Sequence, residues 1–268
     1  YAGEIENFGD TVKIIKEPTI TVRDYARGQT VDTQILADDQ ITMTVDQGSY
    51  FAFKVDDIEE RQSHVNFEAL ATSSGAYSLK KNYDYNVLKF IYDNSSNGTG
   101  TGTDASPIDG DAAVDTLANL VSTAKKNLDK NDVPEENRWL VSSPEFFEQL
   151  RKAGGKLSDQ SVMNDGAASQ IRNGKVTDRP LFGFNMYSSN AIAVSGGSVA
   201  SHTFGSAGSN EHVFLYGHMS GVATVNHIAK TELIRDPDSF ADVVRGLHVF
   251  GRKILRSEAV QRGVITIG

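Results

Sequence analysis

The sequence predicts an α+β protein in which strand-rich segments at both ends flank a helical middle. Runs rich in Val, Ile, Thr and Tyr fill the first 55 residues, and apolar residues alternate with threonine along Ile41 to Val45. Residues 56–93 contain one glycine and no proline, which favours helix. Strand-like runs return from Val213 onwards. Strands, then helices, then strands again indicate α+β rather than a wound parallel sheet.

The N-terminal strands predict a long hairpin over residues 29–46. Asp38-Asp39 separates two strand-like runs and predicts the turn of this hairpin, while Gln47-Gly48 predicts the next turn. The strand-like runs before residue 56 are Val12–Ile15, Thr19–Val22, Thr30–Leu36, Ile41–Val45 and Tyr50–Val55.

Three helices are expected in the middle of the chain. The first covers most of residues 56–93, with acidic residues at its start and an interruption near Thr72 to Gly75. The third begins at Ser143-Pro144 and ends at Gly154-Gly155. The second has Asp111 as its expected N-cap. Its apolar stripe consists of Val114, Leu117, Val121, Ala124 and Leu128.

Two segments of low complexity predict mobile loops, because they contain too little apolar surface to order themselves. They are residues 94–108 and 195–210. Buried strands are expected at Trp139 to Val141 and at Leu181 to Tyr187. The expected C-terminal strands are Val213–Tyr216, Val222–Ile228, Glu232–Arg235, Leu247–Leu255 and Val260–Ile267.

Composition excludes several kinds of function. The net charge is −9, which is the wrong sign for a chain that grips nucleic acid through its phosphates. The absence of cysteine excludes disulfides and thiolate chemistry and fits a reducing cytoplasm. No apolar run has the 18 or so residues of a membrane span, so no membrane partner is expected.

No motif predicts a catalytic, cofactor or metal site. The glycines from Gly98 to Gly102 lack the register of a dinucleotide loop, and Leu157 stands where a Walker loop needs Ser or Thr. The six histidines form no close ligand pair. We therefore expect no enzyme, cofactor or metal, and keep a carboxylate-dependent hydrolase as the alternative from another class.

Charged side chains at both ends of the chain are candidates for contacts between subunits. We prefer pairing across an interface over pairing within the subunit or contact with nucleic acid. The candidates are Asp32, Asp38, Asp39 and Asp46 on the predicted hairpin, and Arg245, Arg252, Lys253, Arg256 and Arg262 near the C-terminus.

Four segments in order resemble the major capsid proteins of tailed bacteriophages with the Hong Kong 97-type fold. The first is GDTVKIIKEPTITVRDYARGQTVDTQILADDQITMTVDQGSYFAFKVDDIEERQS, which matches the arm and long hairpin of that family. The second, third and fourth are KKNLDKNDVPEENRWLVSSPEFFEQLRKAG, RPLFGFNMYSSN and FADVVRGLHVFGRKILRSEAVQRGVI. Only residues 94–108 and about 195–210 lie outside the resemblance.

The resemblance implies a division of the chain into an arm, a hairpin called the E-loop, a peripheral domain with a long spine helix, and an axial domain. We expect the hairpin to be ordered against a neighbouring subunit, since an isolated hairpin is marginal in water. The implied boundaries are 1–28 for the arm and first strands, 29–55 for the E-loop, 56–108 for the spine helix and loop, 109–235 for the mainly axial part, and 236–268 for the return strands.

The resemblance also implies a function. Subunits would form hexamers and pentamers of an icosahedral shell that encloses double-stranded DNA without tight sequence-specific binding. Scaffolding, portal and decoration proteins are possible partners, and the protein would be a virion component assembled in the bacterial cytoplasm. A shell protein of an encapsulin-like nanocompartment shares the fold and stays the nearest alternative.

Overall fold

The computed structural model describes residues 11–15, 20–31, 33–35, 40–56, 67–101, 111–151, 180–192 and 211–266. The chain divides into two compact units. The first contains residues 1–72 and 224–255, and the second contains residues 73–223 and 256–268. Each unit therefore takes an N-terminal and a C-terminal part of the chain.

A two-stranded hairpin opens the first unit. Strand β1 (Thr11–Ile15) pairs antiparallel with β2 (Gln40–Thr44), with Thr11 opposite Thr44 and Ile15 opposite Gln40. The predicted pairing within residues 29–46 is wrong, because β2 pairs with β1 and the described residues between 30 and 35 form no strand. The expected turn at Asp38-Asp39 lies outside the described residues.

A three-stranded antiparallel sheet forms the rest of the first unit, in the order β3, β9, β8. Its strands are β3 (Gln47–Asp56), β8 (Val222–Arg235) and β9 (Ala241–Ile254). Gln47-Gly48 begins β3 rather than forming a turn, since Gln47 lies opposite Phe250. Two predicted runs, Val222–Ile228 and Glu232–Arg235, are parts of one long strand, β8.

A five-stranded mixed sheet lies at the centre of the second unit, in the order β4, β10, β7, β5, β6. The outer pairs β4–β10 and β5–β6 are parallel, and the inner pairs are antiparallel. The strands are β4 (Ser96–Thr101), β5 (Arg138–Ser142), β6 (Phe184–Ser188), β7 (Glu211–His218) and β10 (Val260–Thr266).

Strand β4 corrects the prediction of a mobile loop over residues 94–108. A run of Gly, Thr and Asn has little apolar surface, but its backbone pairs with β10, and Asn127 Nδ2 donates a hydrogen bond to Gly98 O at 2.9 Å. Gly98 lies so close to Tyr216 and Gln261 that a Cβ would overlap their side chains. Residues 102–108 and 195–210 lie outside the described residues.

Three helices are described. Helix α1 (Phe67–Asn94) is continuous through Thr72 to Gly75, so the predicted interruption is wrong. Helix α2 (Asp111–Lys130) begins at the predicted N-cap residue, and Leu117, Val121, Ala124 and Leu128 of its stripe are fully buried. Helix α3 (Pro144–Arg151) begins where Ser143-Pro144 predicts, while its expected end at Gly154-Gly155 lies outside the described residues.

Buried apolar side chains of the second unit form two clusters. One contains the stripe of α2, the Phe146 and Phe147 rings of α3, and Phe184, Phe214 and Tyr216 from the sheet. The other joins Tyr85 and Ile91 of α1 to Val213, Leu215 and Val260. Both clusters use the five-stranded sheet, and this agrees with alternate side chains of a strand pointing to opposite faces.

Candidate assembly surfaces

Residues 20–31 and 33–35 of the first unit form two limbs and a turn, called here the hairpin extension. Its turn lies at Ala26 to Gln29, where Gln29 N donates to Ala26 O at 3.0 Å and Gly28 has a φ of 87°. Thr21 N donates to Gln34 Oε1 at 3.0 Å, so the two limbs lie side by side. The dipeptide Arg27-Gly28 is a sequence signal for this turn, but the stronger signal at Asp38-Asp39 led to the prediction of the turn there.

The hairpin extension exposes apolar side chains that nothing in its own unit covers. Val22 and Ile35 are each 91% exposed. The other exposed apolar residues of the extension are Ile20, Tyr25 and Val31. A group of exposed apolar side chains of this size usually marks a contact surface. The extension is therefore a candidate contact surface rather than part of the core.

The three-stranded sheet exposes further apolar residues. Tyr50 of β3 and Leu247 of β9 lie opposite each other and both are exposed. At the end of the β8–β9 hairpin, Phe240 is 81% exposed. Asp236 holds this end in place, since its carboxylate accepts hydrogen bonds from Asp238 N and Ser239 Oγ and pairs with Lys54.

The same contacts explain the electrostatics of Asp236. The hydrogen bond from Lys54 is the main cause that lowers the pKa of this carboxyl well below its ordinary value, and the hydrogen bonds from Ser239 and Asp238 N act in the same direction.

The C-terminal basic candidates make contacts within their own units. Arg245 donates to Glu232 Oε2 from Nε at 2.9 Å and from a terminal nitrogen at 2.6 Å. Arg252 lies over the Phe250 ring at 5.9 Å, and Arg256 Nε lies 3.4 Å from Glu258. Lys253 is exposed. These contacts agree with the intramolecular interpretation, while the expected role between subunits is a separate prediction.

Arg262 is partly buried and makes its contacts within its own unit. Its guanidinium lies 4.4 Å from the Tyr92 ring centre and donates to Tyr92 O at 2.7 Å, near the end of α1. Among the acidic candidates, Asp46 is exposed next to the end of β2. Asp32, Asp38 and Asp39 lie outside the described residues.

One serine–histidine–carboxylate group bears on the hydrolase alternative. Ser143 Oγ lies 3.0 Å from His212 Nδ1, and Glu145 Oε2 lies 3.9 Å from that same nitrogen. A nucleophile–base–acid relay needs the serine and the carboxylate on different ring nitrogens. Ser143 and His212 are also buried, and burial lowers the pKa of His212 while Glu145 opposes the shift. The group therefore lacks the geometry of a catalytic triad.

Other kinds of site have no support in the described residues. No group of three or more histidines and carboxylates among them is arranged to hold a metal ion. None of the helices in the described part of the chain has the length and apolar character needed to cross a membrane.

Sequence reasoning missed the most buried charge among the described residues of the second unit. Arg138 is 1% exposed, and its guanidinium donates to Pro134 O at 2.8 Å, Val133 O at 2.5 Å and Asp129 Oδ1 at 2.6 Å. Asp129 lies in the last turn of α2, and Val133 and Pro134 follow the helix. In this segment Val133 N donates to Leu128 O and Asp132 has a positive φ. The sequence gives no signal that an arginine before a strand turns back onto the preceding loop.

The described fold matches solved structures of phages. A structure from Mycobacterium phage Che8 is 28% identical, with a TM-score of 0.74, and the match covers 96% of this chain and 85% of that chain. The capsid structure of the cyanophage P-SCSP1u is 15% identical, with a TM-score of 0.71 and coverage of 98% and 85%. This chain has a bacteriophage capsid fold. The resemblance to tailed-phage major capsid proteins found in the sequence is thereby confirmed.

The capsid fold also occurs outside the phage structures. A virus-like particle from Pyrococcus furiosus is 14% identical, with a TM-score of 0.54 and coverage of 97% of this chain and 87% of that chain. Its likeness concerns the fold alone. Neither a protein-family model nor a curated protein matches the chain.

Proposed function

We propose that this chain is the major capsid protein of a tailed bacteriophage and assembles into hexamers and pentamers of a closed icosahedral shell around double-stranded DNA. The observation that carries the proposal is the match of nearly the whole chain to a phage structure at 28% identity, together with the capsid fold. The predicted arm, E-loop, peripheral domain and axial domain belong to the same proposal.

The hairpin extension supports assembly with copies of the chain. A ring or shell needs contacts in which one face of a subunit meets a different face of the next. Val22 and Ile35 are almost fully exposed in the single chain, so their burial against a neighbour gives a favourable free energy that folding alone does not. Many weak contacts of this kind stabilise a shell together.

The charge of the chain fits a container for DNA that does not bind its contents tightly. A net charge of −9 repels the phosphates, and DNA then moves along the inner wall without strong local binding. Portal, scaffolding and decoration proteins, a place in the virion and assembly in the host cytoplasm follow from this proposal as expectations.

Electron microscopy of the purified chain tests the proposal. We expect closed particles with hexamers and pentamers; a chain that stays monomeric at every concentration contradicts it. The nanocompartment alternative is supported by the fold match to the virus-like particle. The contents of particles taken from infected or expressing cells distinguish the two, since packaged duplex DNA favours the capsid and packaged enzyme favours the nanocompartment.

A further inference from the structure

A two-residue turn precedes β6. Leu181 N donates to Phe184 O at 3.0 Å, and Phe184 N donates to Leu181 O at 2.9 Å. The two residues between them, Phe182 and Gly183, both have positive φ, 50° and 82°, as in a type I′ turn. Such turns take Asn, Asp or Gly at these positions. Gly183 fits this requirement and Phe182 does not.

The turn holds Phe182 in a strained backbone conformation. A bulky side chain at positive φ brings Cβ close to the following carbonyl oxygen. The turn cannot relax easily, because both ends are fixed in the core. Phe184 is fully buried with its ring 6.2 Å from that of Tyr216, and Leu181 packs against the same cluster. Asparagine at position 182 would satisfy the same backbone with less strain.

Phe182 is covered only in part by its own subunit. It is 38% exposed, and Tyr187 of the same strand is 55% exposed. Strand β6 is an edge of the sheet and pairs only with β5 among the described residues. Edge strands usually carry charges that prevent pairing with other chains, but residues 180–192 contain none.

The absence of charge identifies the kind of partner. The described residues 180–192 carry no Lys or Arg to neutralise phosphates, which disfavours DNA as the occupant. An uncharged aromatic surface fits another apolar protein surface. On the proposed function, the protein that each subunit meets in the largest number is its own copy.

We propose that Phe182 is a contact residue for a second copy of this chain, and that the turn Leu181–Phe184 holds its ring outward for that contact. This inference rests on the proposed shell function and names one part of its interface. The strain in the free subunit is offset when the ring is buried between copies, which explains a residue that the turn itself disfavours.

The substitution Phe182→Asn tests the inference, because it should change folding and assembly in opposite directions. Relief of the strain should raise the thermal midpoint of the unassembled subunit by about 2–4 °C. Loss of the apolar contact should raise the lowest concentration that forms shells at least about tenfold. Scanning calorimetry and light scattering measure the two effects.

Two further variants separate the ring from the backbone. Phe182→Leu keeps an apolar group at the strained position and should form shells near the wild-type concentration. Asp132→Asn changes another exposed residue of positive φ, 52°, and should leave assembly unchanged. If Phe182→Asn is more stable and still forms shells at the wild-type concentration, the strain has no role in assembly and the inference is wrong.

A less stable Phe182→Asn subunit also overturns the inference, since the ring would then belong to the fold. A wild-type chain that forms no shells contradicts the proposed function itself. Sedimentation of concentrated subunits then decides about Phe182 separately, and equal self-association of wild type and Phe182→Asn rejects the contact.

Discussion

The two units of the chain bury their apolar residues to different extents. Both clusters of buried apolar side chains lie in the second unit, between its helices and the five-stranded sheet. Most of the large apolar side chains that are exposed in the described residues lie in the first unit, on the hairpin extension and the three-stranded sheet. The second unit therefore contains both apolar clusters, while the first carries most of the exposed apolar side chains of the described residues.

This difference agrees with the proposed function, in which one chain both folds and assembles. A core with well-packed rings and buried helices gives each subunit a fixed shape before assembly. A unit of thin sheet and extended hairpin gives large contact area for few residues. Changes to the buried side chains of the second unit should therefore alter folding, and changes to the exposed apolar side chains of the first should alter assembly with little effect on folding.

The largest expected effect is the loss of shells when the hairpin extension loses its apolar side chains. The double substitution Val22→Ser and Ile35→Ser should prevent closed particles, because it removes two apolar side chains that are 91% exposed in the subunit and available for contact with a neighbour. The thermal midpoint of the subunit should stay within about 1 °C, since exposed substitutions rarely change stability. Electron microscopy and calorimetry measure the two outcomes.

Met219→Ser is the matched control, since it removes an exposed apolar side chain from the second unit. It should form normal shells. Normal shells from the Val22 and Ile35 variant would show that the extension does not bridge copies, and an unfolded variant would show that it belongs to the core.

The largest effect on folding is expected from Arg138. Arg138→Met leaves Val133 O without its donor in a buried site, and it also removes the hydrogen bonds to Pro134 O and Asp129 Oδ1. The free energy of unfolding should fall by about 2–4 kcal/mol. Urea unfolding followed by the fluorescence of Trp139, the one tryptophan of the chain, measures the loss. An unchanged midpoint would mean that the loop after α2 adjusts without the guanidinium.

The same contrast shows what sequence reasoning finds. Periodic patterns predicted α2, α3, β5 and β7 well, because each has a clear apolar face against a core. The hairpin of the first unit was placed too late in the chain, since β1 and β2 are joined by 24 residues of sequence, too distant for any local signal. Strand β4 was missed because its stability comes from backbone pairing rather than from its side chains.

The candidate assembly residues were found only in part. Arg245, Arg256 and Arg262 were predicted as interface residues because of their charge. In the structure each of them has a partner within its own subunit. Exposed apolar residues such as Val22 and Phe182 gave no signal, since a strand-like run looks the same whether its side chains enter a core or face solvent. Exposure needs the fold, and position 182 needs the backbone angle as well.

A smaller effect on the second unit is expected from pH. Burial lowers the pKa of His212 below its ordinary value, so the unfolded chain binds a proton there before the folded chain does. Stability should therefore fall as the pH drops through about 6.5, the ordinary value for histidine. Glu145, 3.9 Å away, reduces the effect without reversing it.

Thermal unfolding of dilute subunits between pH 8 and pH 5 checks this prediction, with His212→Gln as the comparison. The variant should depend less on pH. His248 in the first unit also has a pKa lowered by burial, so His248→Gln measures its share separately. A wild-type midpoint that rises as the pH falls would give the opposite sign and refute the prediction.

The smallest effect on folding is expected from Arg245, which sharpens the comparison with Arg138. Arg245 and Glu232 are both exposed in part, and water screens their ion pair. Arg245→Gln should lower the free energy of unfolding by less than about 1 kcal/mol. An arginine so weakly held is able to exchange its partner for a carboxylate of a neighbouring subunit, so the same variant should raise the lowest shell-forming concentration a few-fold.

Glu232→Gln is the matched control, because it breaks the internal pair but keeps the cation for the neighbour and should assemble as the wild type does. Equal assembly of both variants and the wild type would assign Arg245 to its own subunit, and equal impairment of both would mean that the internal pair, rather than a contact with a neighbour, supports the shell.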